Sequence, residues 1–197
     1  MSCELFIGRV EPCKDQVGGL KNVYFYYESP VYTFDGNLPN PVPPGLDSDI
    51  ITNVEGVSQL FKFELKANEN NLVSTINSDR NNGTTFFSQV LNLKLKRLDA
   101  MTTKHLKLLS FGKPYVIVET NNNQFISLGT YRGMEVTGGT VVSGGALGDH
   151  SGYTLTLTGE ETAPLYFLNA SNDESLISVF TPEIGSPAVI ITDDSLT

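Results

Sequence analysis

The sequence predicts a mainly β protein: a β-sandwich or partly closed barrel with one flanking α-helix and long loops or arms. Three observations carry that expectation. Tyr153-Thr-Leu-Thr-Leu-Thr158 alternates apolar and polar residues without a fault, and a period of two needs one face buried and the other against water or a neighbour. Pro114-Tyr-Val-Ile-Val-Glu-Thr120 and Gln124-Phe-Ile-Ser-Leu128 are β-branched and aromatic runs on either side of an Asn121-Asn-Asn123 turn. Helix start and stop signals coincide in one place only, around residues 99–114.

The elements follow in order. Gly18-Gly19 opens a strand through Tyr24, Phe25, Tyr26 and Tyr27. Residues 29–50 hold Pro30, Pro39, Pro41, Pro43 and Pro44, which reads as a long irregular arm ordered by a partner. Phe61, Phe63 and Leu65 alternate with Lys62, Glu64 and Lys66, a strand with one apolar face. Residues 68–83 are polar at both ends with Leu72-Val-Ser-Thr-Ile76 between, a hairpin-like excursion. Leu91, Leu93 and Leu95 alternate with Asn92, Lys94 and Lys96 in the next strand.

Asp99 suits the N-cap of the helix, Met101, His105, Leu108 and Leu109 its buried stripe, and Gly112 with Pro114 its stop. After the central strands, Met134-Glu-Val-Thr137 leads into a loop carrying Gly138, Gly139, Gly144, Gly145, Gly148 and Gly152. Strands are expected at Pro164–Leu168, Leu176–Phe180 and Ala188–Ile191, ahead of an acidic tail at 192–197. No internal repeat of fixed period is present.

At 197 residues and 21.5 kDa the chain suits a single β-rich domain over 1–197. A hydrophobic share of 40% and a charged share of 18% are those of a folded protein. No apolar run reaches membrane-spanning length, no basic leader precedes an apolar core, and no stable membrane contact is expected. Cys3 and Cys13 read as free thiols of a reducing compartment. The net charge of −9 is divided unevenly: residues 62–113 hold nine Lys/Arg against four Asp/Glu, and the remainder holds four against eighteen. Stable nucleic-acid binding calls for a dominant basic face, which this chain lacks. The split fits either two differently solvated faces or contact between copies, basic part to acidic part.

The chain offers no constellation for catalysis, so no enzymatic activity, cofactor or metal is expected. His105 sits among helix leucines. Asp149, His150 and Ser151 are consecutive, and consecutive side chains do not converge as a triad. The glycine-rich loop lacks the Lys-Ser/Thr pair of a phosphate loop and feeds a strand, not a helix. Two Cys and two His, scattered, make no zinc site. The Tyr24–Tyr27 cluster leaves open a second reading, a β-sandwich module that recognises a host glycan, although the chain has no Trp. The more economical reading is a chain that builds something.

With these residues in view the chain resembles virion structural proteins of tailed phages of Bacteroidetes, the crAss-like group among them. The resemblance rests on Gly18-Gly-Leu-Lys-Asn-Val-Tyr24, Lys113-Pro-Tyr-Val-Ile-Val-Glu119, residues 128–133, Val136-Thr-Gly-Gly-Thr140 and residues 146–160. It covers roughly half the chain. It implies a tail-tube, neck-ring or tail-connector subunit of a six-fold or twelve-fold homo-oligomeric ring. The ring would contact other phage tail or neck proteins and, transiently, passing double-stranded DNA. It also implies a place in the virion tail or neck, with the host cytoplasm as the site of assembly. The expected subunit-interface residues are Tyr24 and Tyr26 on the first strand; Pro41, Pro43 and Pro44 in the arm; Leu72 and Ile76 in the excursion; and Gly144, Gly145, Leu147, Asp149 and His150 in the glycine-rich loop.

Overall fold

A computed structural model describes residues 16–34, 50–66, 69–180 and 188–192, together with Arg9, Glu11 and Lys14. Pro41, Pro43 and Pro44, both cysteines and the acidic residues after Thr192 lie outside the described residues. In chain order the elements are β1 (Leu20–Tyr26), β2 (Val31–Phe34), β3 (Ile50–Glu55), β4 (Gln59–Glu64), β5 (Asn71–Asp79), β6 (Thr84–Lys96), α1 (Ala100–Phe111), β7 (Tyr115–Thr120), β8 (Phe125–Leu128), β9 (Glu135–Val142), β10 (Gly152–Glu161), β11 (Tyr166–Leu168), α2 (Asp173–Val179) and β12 (Val189–Ile191).

These strands form two sheets that do not close into a barrel. One has eight strands in the order β12-β4-β1-β7-β8-β11-β3-β2; the other has four, β5-β6-β10-β9. The alternation read in Tyr153–Thr158 becomes the register of the smaller sheet, with Tyr153, Leu155 and Leu157 opposite Leu95, Leu93 and Leu91. Those side chains meet Val23, Phe25, Val116, Val118 and Leu128 of the larger sheet, and Leu106 and Leu109 of α1, in one apolar cluster. Fully burying each such leucine contributes about 1.5–3 kcal/mol.

The opposite face of the eight-stranded sheet carries a second cluster, in which Tyr24, Tyr26, Ile117 and Phe125 pack under Leu176, Val179 and Phe180. Successive residues of β1 thus feed different cores, so Tyr24, Phe25 and Tyr26 are all buried. A strand buried on both faces reads as a continuous apolar run, which is what residues 23–26 are.

Four sequence expectations need correction. Leu176–Phe180 is not a strand: residues 173–179 are helical, because Asn172 accepts the Ser175 amide at 2.7 Å while Ser175 Oγ accepts the Asn172 amide at 2.9 Å. That reciprocal cap, with Asp173 and Glu174 in the first turn, overrides the β-branched run. The arm from residue 29 is not irregular throughout, since Val31–Phe34 pairs antiparallel with β3. Gly138 and Gly139 belong to β9, not to the loop. A Cβ on Gly139 would stand 2.7 Å from the Thr154 carbonyl oxygen, so the close approach of β9 to β10 needs glycine there. Helix α1 starts at the expected Asp99 cap, whose carboxylate accepts the Met101 and Thr102 amides. Its buried residues are Leu106 and Leu109, however, with Met101 and Leu108 exposed.

Candidate functional site

Among the described residues the four-stranded sheet has two open edges and one uncovered face. Among the described residues, β5 and β9 each pair on one side only. The face turned away from the core carries Thr154, Thr156 and Thr158 of β10, Asn92 of β6 and Thr140 of β9, all partly or fully exposed. They are tied across the strands: Asn92 Nδ2 donates to Asn71 Oδ1 at 2.9 Å, Thr156 Oγ1 to Asn92 Oδ1 at 3.0 Å, and the Thr140 and Thr154 hydroxyls share a 2.7 Å bond. Cross-strand hydroxyl and amide pairs of this kind support the register of a sheet. Two ion pairs border the sheet, Lys94 with Glu69 at 2.6 Å and Lys113 with Glu135.

Two projections leave this sheet at opposite ends. The β5–β6 hairpin extends beyond the core. Leu72, opposite Leu91, still packs on the first cluster, whereas Ile76, opposite Phe87, is 67% exposed. Asp79 closes its turn by accepting the Asn81 amide at 2.8 Å and the Asn82 side chain at 2.6 Å.

At the other end, beside Lys96, lies the β9–β10 loop. Asp149 organises it: one carboxylate oxygen accepts the Gly145 amide at 2.9 Å and the Ala146 amide at 2.7 Å. These amides hold the carboxyl below its ordinary pKa. Gly144, at φ +73°, makes the turn that lets the chain fold over that carboxylate. Leu147 is fully exposed at the tip. His150 is half-buried, and its Nε2 has no hydrogen-bond partner among the described residues.

The structure therefore places Leu72 and Ile76 on the β5–β6 hairpin and Gly144, Gly145, Leu147, Asp149 and His150 in the β9–β10 loop, at opposite ends of one sheet. Tyr24 and Tyr26 are a correction: both are completely buried and offer no ring to another subunit. The Tyr26 ring stacks on Tyr115 at 5.4 Å, meets Phe180 edge-on at 5.7 Å, and its hydroxyl bonds that of Tyr32 at 2.7 Å. The expected Tyr24–Tyr27 glycan platform has only Tyr27 left at the surface, half-exposed.

Sequence reasoning missed a polar network beneath the second cluster. Glu119 is 2% exposed. Its carboxylate accepts from Lys21 Nζ and Asn22 Nδ2, each at 2.5 Å. The Tyr24 hydroxyl lies 3.2 Å from Glu119 and 2.6 Å from Asp173, whose other oxygen accepts from Lys62 Nζ at 2.6 Å. The network borders an open groove of about 600 Å³. Its members come from β1, β4, β7 and α2, so no local spacing announced it. The one available signal was Glu119 ending an apolar run, a position where a carboxylate needs donors.

No family model matches the sequence, and no curated protein matches it. Among solved structures, a chain from "Virion of native gene transfer agent (GTA) particle" aligns at 12% identity over 52% of this chain and 83% of its own length, with a TM-score of 0.32. A superposition that loose transfers neither fold nor function. No described helix is long and apolar enough to cross a membrane.

Proposed function

We propose that this chain is a virion structural subunit that closes into a ring, with β5 of one copy pairing against β9 of the next. The observation that carries this reading is the four-stranded sheet, both of whose edges are open among the described residues. Unpaired edges recruit strands, and a β5-to-β9 contact is heterologous, so it closes into a ring when the rotation per subunit divides a full turn. The projecting β5–β6 hairpin, with Ile76 exposed, extends the pairing surface past the subunit's own core and reaches the neighbour.

The reading extends to the faces of the ring. The eight-stranded sheet and both helices lie on the core side of the four-stranded sheet, which supports a ring with this bulk outside and the Thr154, Thr156, Thr158 and Asn92 face towards the hole. Hydroxyls, amides and balanced charge hold a polyanion weakly, because binding to DNA rests on neutralising phosphates with Lys and Arg. A duplex would slide along such a wall. The mixed charge of this face, with Lys94 and Lys96 of β6 and Glu160 of β10 among its hydroxyls and amides, replaces the acidic lining that the overall net charge invites.

Native mass spectrometry of the full chain tests the proposal. Closed multiples of 21.5 kDa are expected, and Ile76→Asp is expected to reduce them to monomer without unfolding it. A chain that stays monomeric at high concentration, with no ring in particles that carry it, would overturn the reading. The glycan-recognition alternative predicts saturable sugar binding by a lone subunit; the burial of Tyr24 and Tyr26 removes the surface on which it rested.

A further inference from the structure

Asn82-Gly83 is the only Asn-Gly step of the chain. It lies at the tip of the β5–β6 hairpin, where Asp79 pairs with Thr84 and residues 80–83 make the turn. All four turn residues are exposed. Gly83 stands at φ +64°, and a Cβ placed there would meet no described atom within 4 Å. The missing side chain leaves the Gly83 amide nitrogen open to a carbonyl carbon brought up from the preceding residue.

An asparagine in such a step can cyclise onto its own backbone. The Gly83 amide nitrogen gives up its proton to solvent base and bonds to Asn82 Cγ. The Cγ–Nδ2 bond then breaks, and that nitrogen takes a proton from water and leaves as ammonia. Water opens the resulting succinimide at either carbonyl, which gives aspartate or isoaspartate. The sum is one water consumed and one ammonia released, with nothing oxidised or reduced.

The hairpin holds this reaction back. Attack needs the Asn82 side chain swung towards Gly83, on its C-terminal side. In the structure it is turned the other way: Nδ2 donates to Asp79 Oδ2 at 2.6 Å, three residues back. The other Asp79 oxygen accepts the Asn81 amide at 2.8 Å and so fixes the carboxylate over the turn. A carboxylate acceptor makes the grip on Nδ2 stronger than a neutral one would.

We propose that Asn82 is a deamidation site and that Asp79 is the residue that restrains it. Neither role depends on ring closure. Conversion replaces the Nδ2 donor with a second carboxylate facing Asp79, so the turn loses the bond that closes it and gains a like-charge contact.

Peptide mapping by mass spectrometry tests this on the full chain, incubated at mildly alkaline pH in native buffer and in urea. The unaltered protein is compared with Asp79→Ala and Asp79→Ser. Serine still accepts the Asn81 amide but is too short to hold Asn82. In urea, Asn82 is expected to convert fastest of all the asparagines, at one rate in the three chains. In native buffer both variants are expected to convert about fivefold faster than the unaltered protein, the population shift that one hydrogen bond of this kind supports. Acceleration by alanine alone would trace the restraint to the turn as a whole. Equal native rates in the three chains would remove Asp79 from it, and another asparagine converting first in urea would remove Asn82. Each of these three results overturns the proposal.

Discussion

The Tyr24 hydroxyl donates a 2.6 Å hydrogen bond to the Asp173 carboxylate, joining the centre of the eight-stranded sheet to the first turn of α2. Burial and this bond push the tyrosine far above its ordinary pKa, so it remains a donor throughout the accessible range. Burial opposes ionisation of Asp173, but its bonds from Lys62 and Tyr24 outweigh that cost and hold its carboxyl below the ordinary value of 3.8.

A pH dependence follows. A carboxyl depressed in the folded state stabilises the protein above its unfolded pKa, and that stabilisation is lost as pH falls through the folded value. The contribution of Asp173 is therefore complete above about pH 4 and fades below it. Asp173→Asn should lower stability at pH 7 by about 1 kcal/mol, discounted because the group is partly solvated, and should flatten the acid limb. Urea melts at pH 7 and pH 3 check this. An equal loss at both pH values would contradict it.

Tyr26→Ala should behave as a core truncation. The ring lies between Tyr115 and Phe180, and its removal should cost about 3–5 kcal/mol. Thermal unfolding measures the loss. A variant of unchanged stability would show that the ring is not packed as described.

The sheets were legible where one face is buried and the other is not. Leu91, Leu93, Leu95 and residues 153–158 alternate because a single core lies on one side, and the period wrote itself into the sequence. Helix α1 was legible through its Asp99 cap. Where the rule changes, the pattern misleads. Residues 23–26 face two cores at once, so alternation could not tell Tyr24 and Tyr26 from surface aromatics. Residues 176–180 are too short for periodicity to separate strand from helix; the Asn172 and Ser175 cap carried the information. Residues 50–55 passed unread as a strand because Thr52 and Asn53 interrupt Ile50-Ile51 and Val54. The Glu119 network depends on residues about a hundred positions apart, beyond any local signal.

Asp149→Ala should loosen the β9–β10 loop and leave the rest of the chain unchanged. The Gly145 and Ala146 amides lose their acceptor, so their hydrogen exchange should accelerate at neutral pH. The same loss of protection, taken relative to the intrinsic exchange rate at each pH, should appear in the unaltered chain once pH falls below the depressed pKa of Asp149. Site-resolved exchange reads both effects. Unchanged exchange at both amides would show that something other than the carboxylate holds the loop.

Ile76→Asp should separate folding from assembly. The side chain is exposed in the isolated subunit, so stability should stay within about 0.5 kcal/mol. In the proposed ring it lies on the projecting hairpin against the neighbour, where burying a charge would be costly. Chemical denaturation and size-exclusion chromatography check the two halves of this expectation.

The most direct measurement is the native mass of the full chain together with that of Ile76→Asp. Open β5 and β9 edges predict closed multiples of 21.5 kDa for the former and a folded monomer for the latter. A lone subunit in both samples at high concentration, or an assembly indifferent to Ile76→Asp and to proline substitution along β5 and β9, would contradict ring closure through these edges.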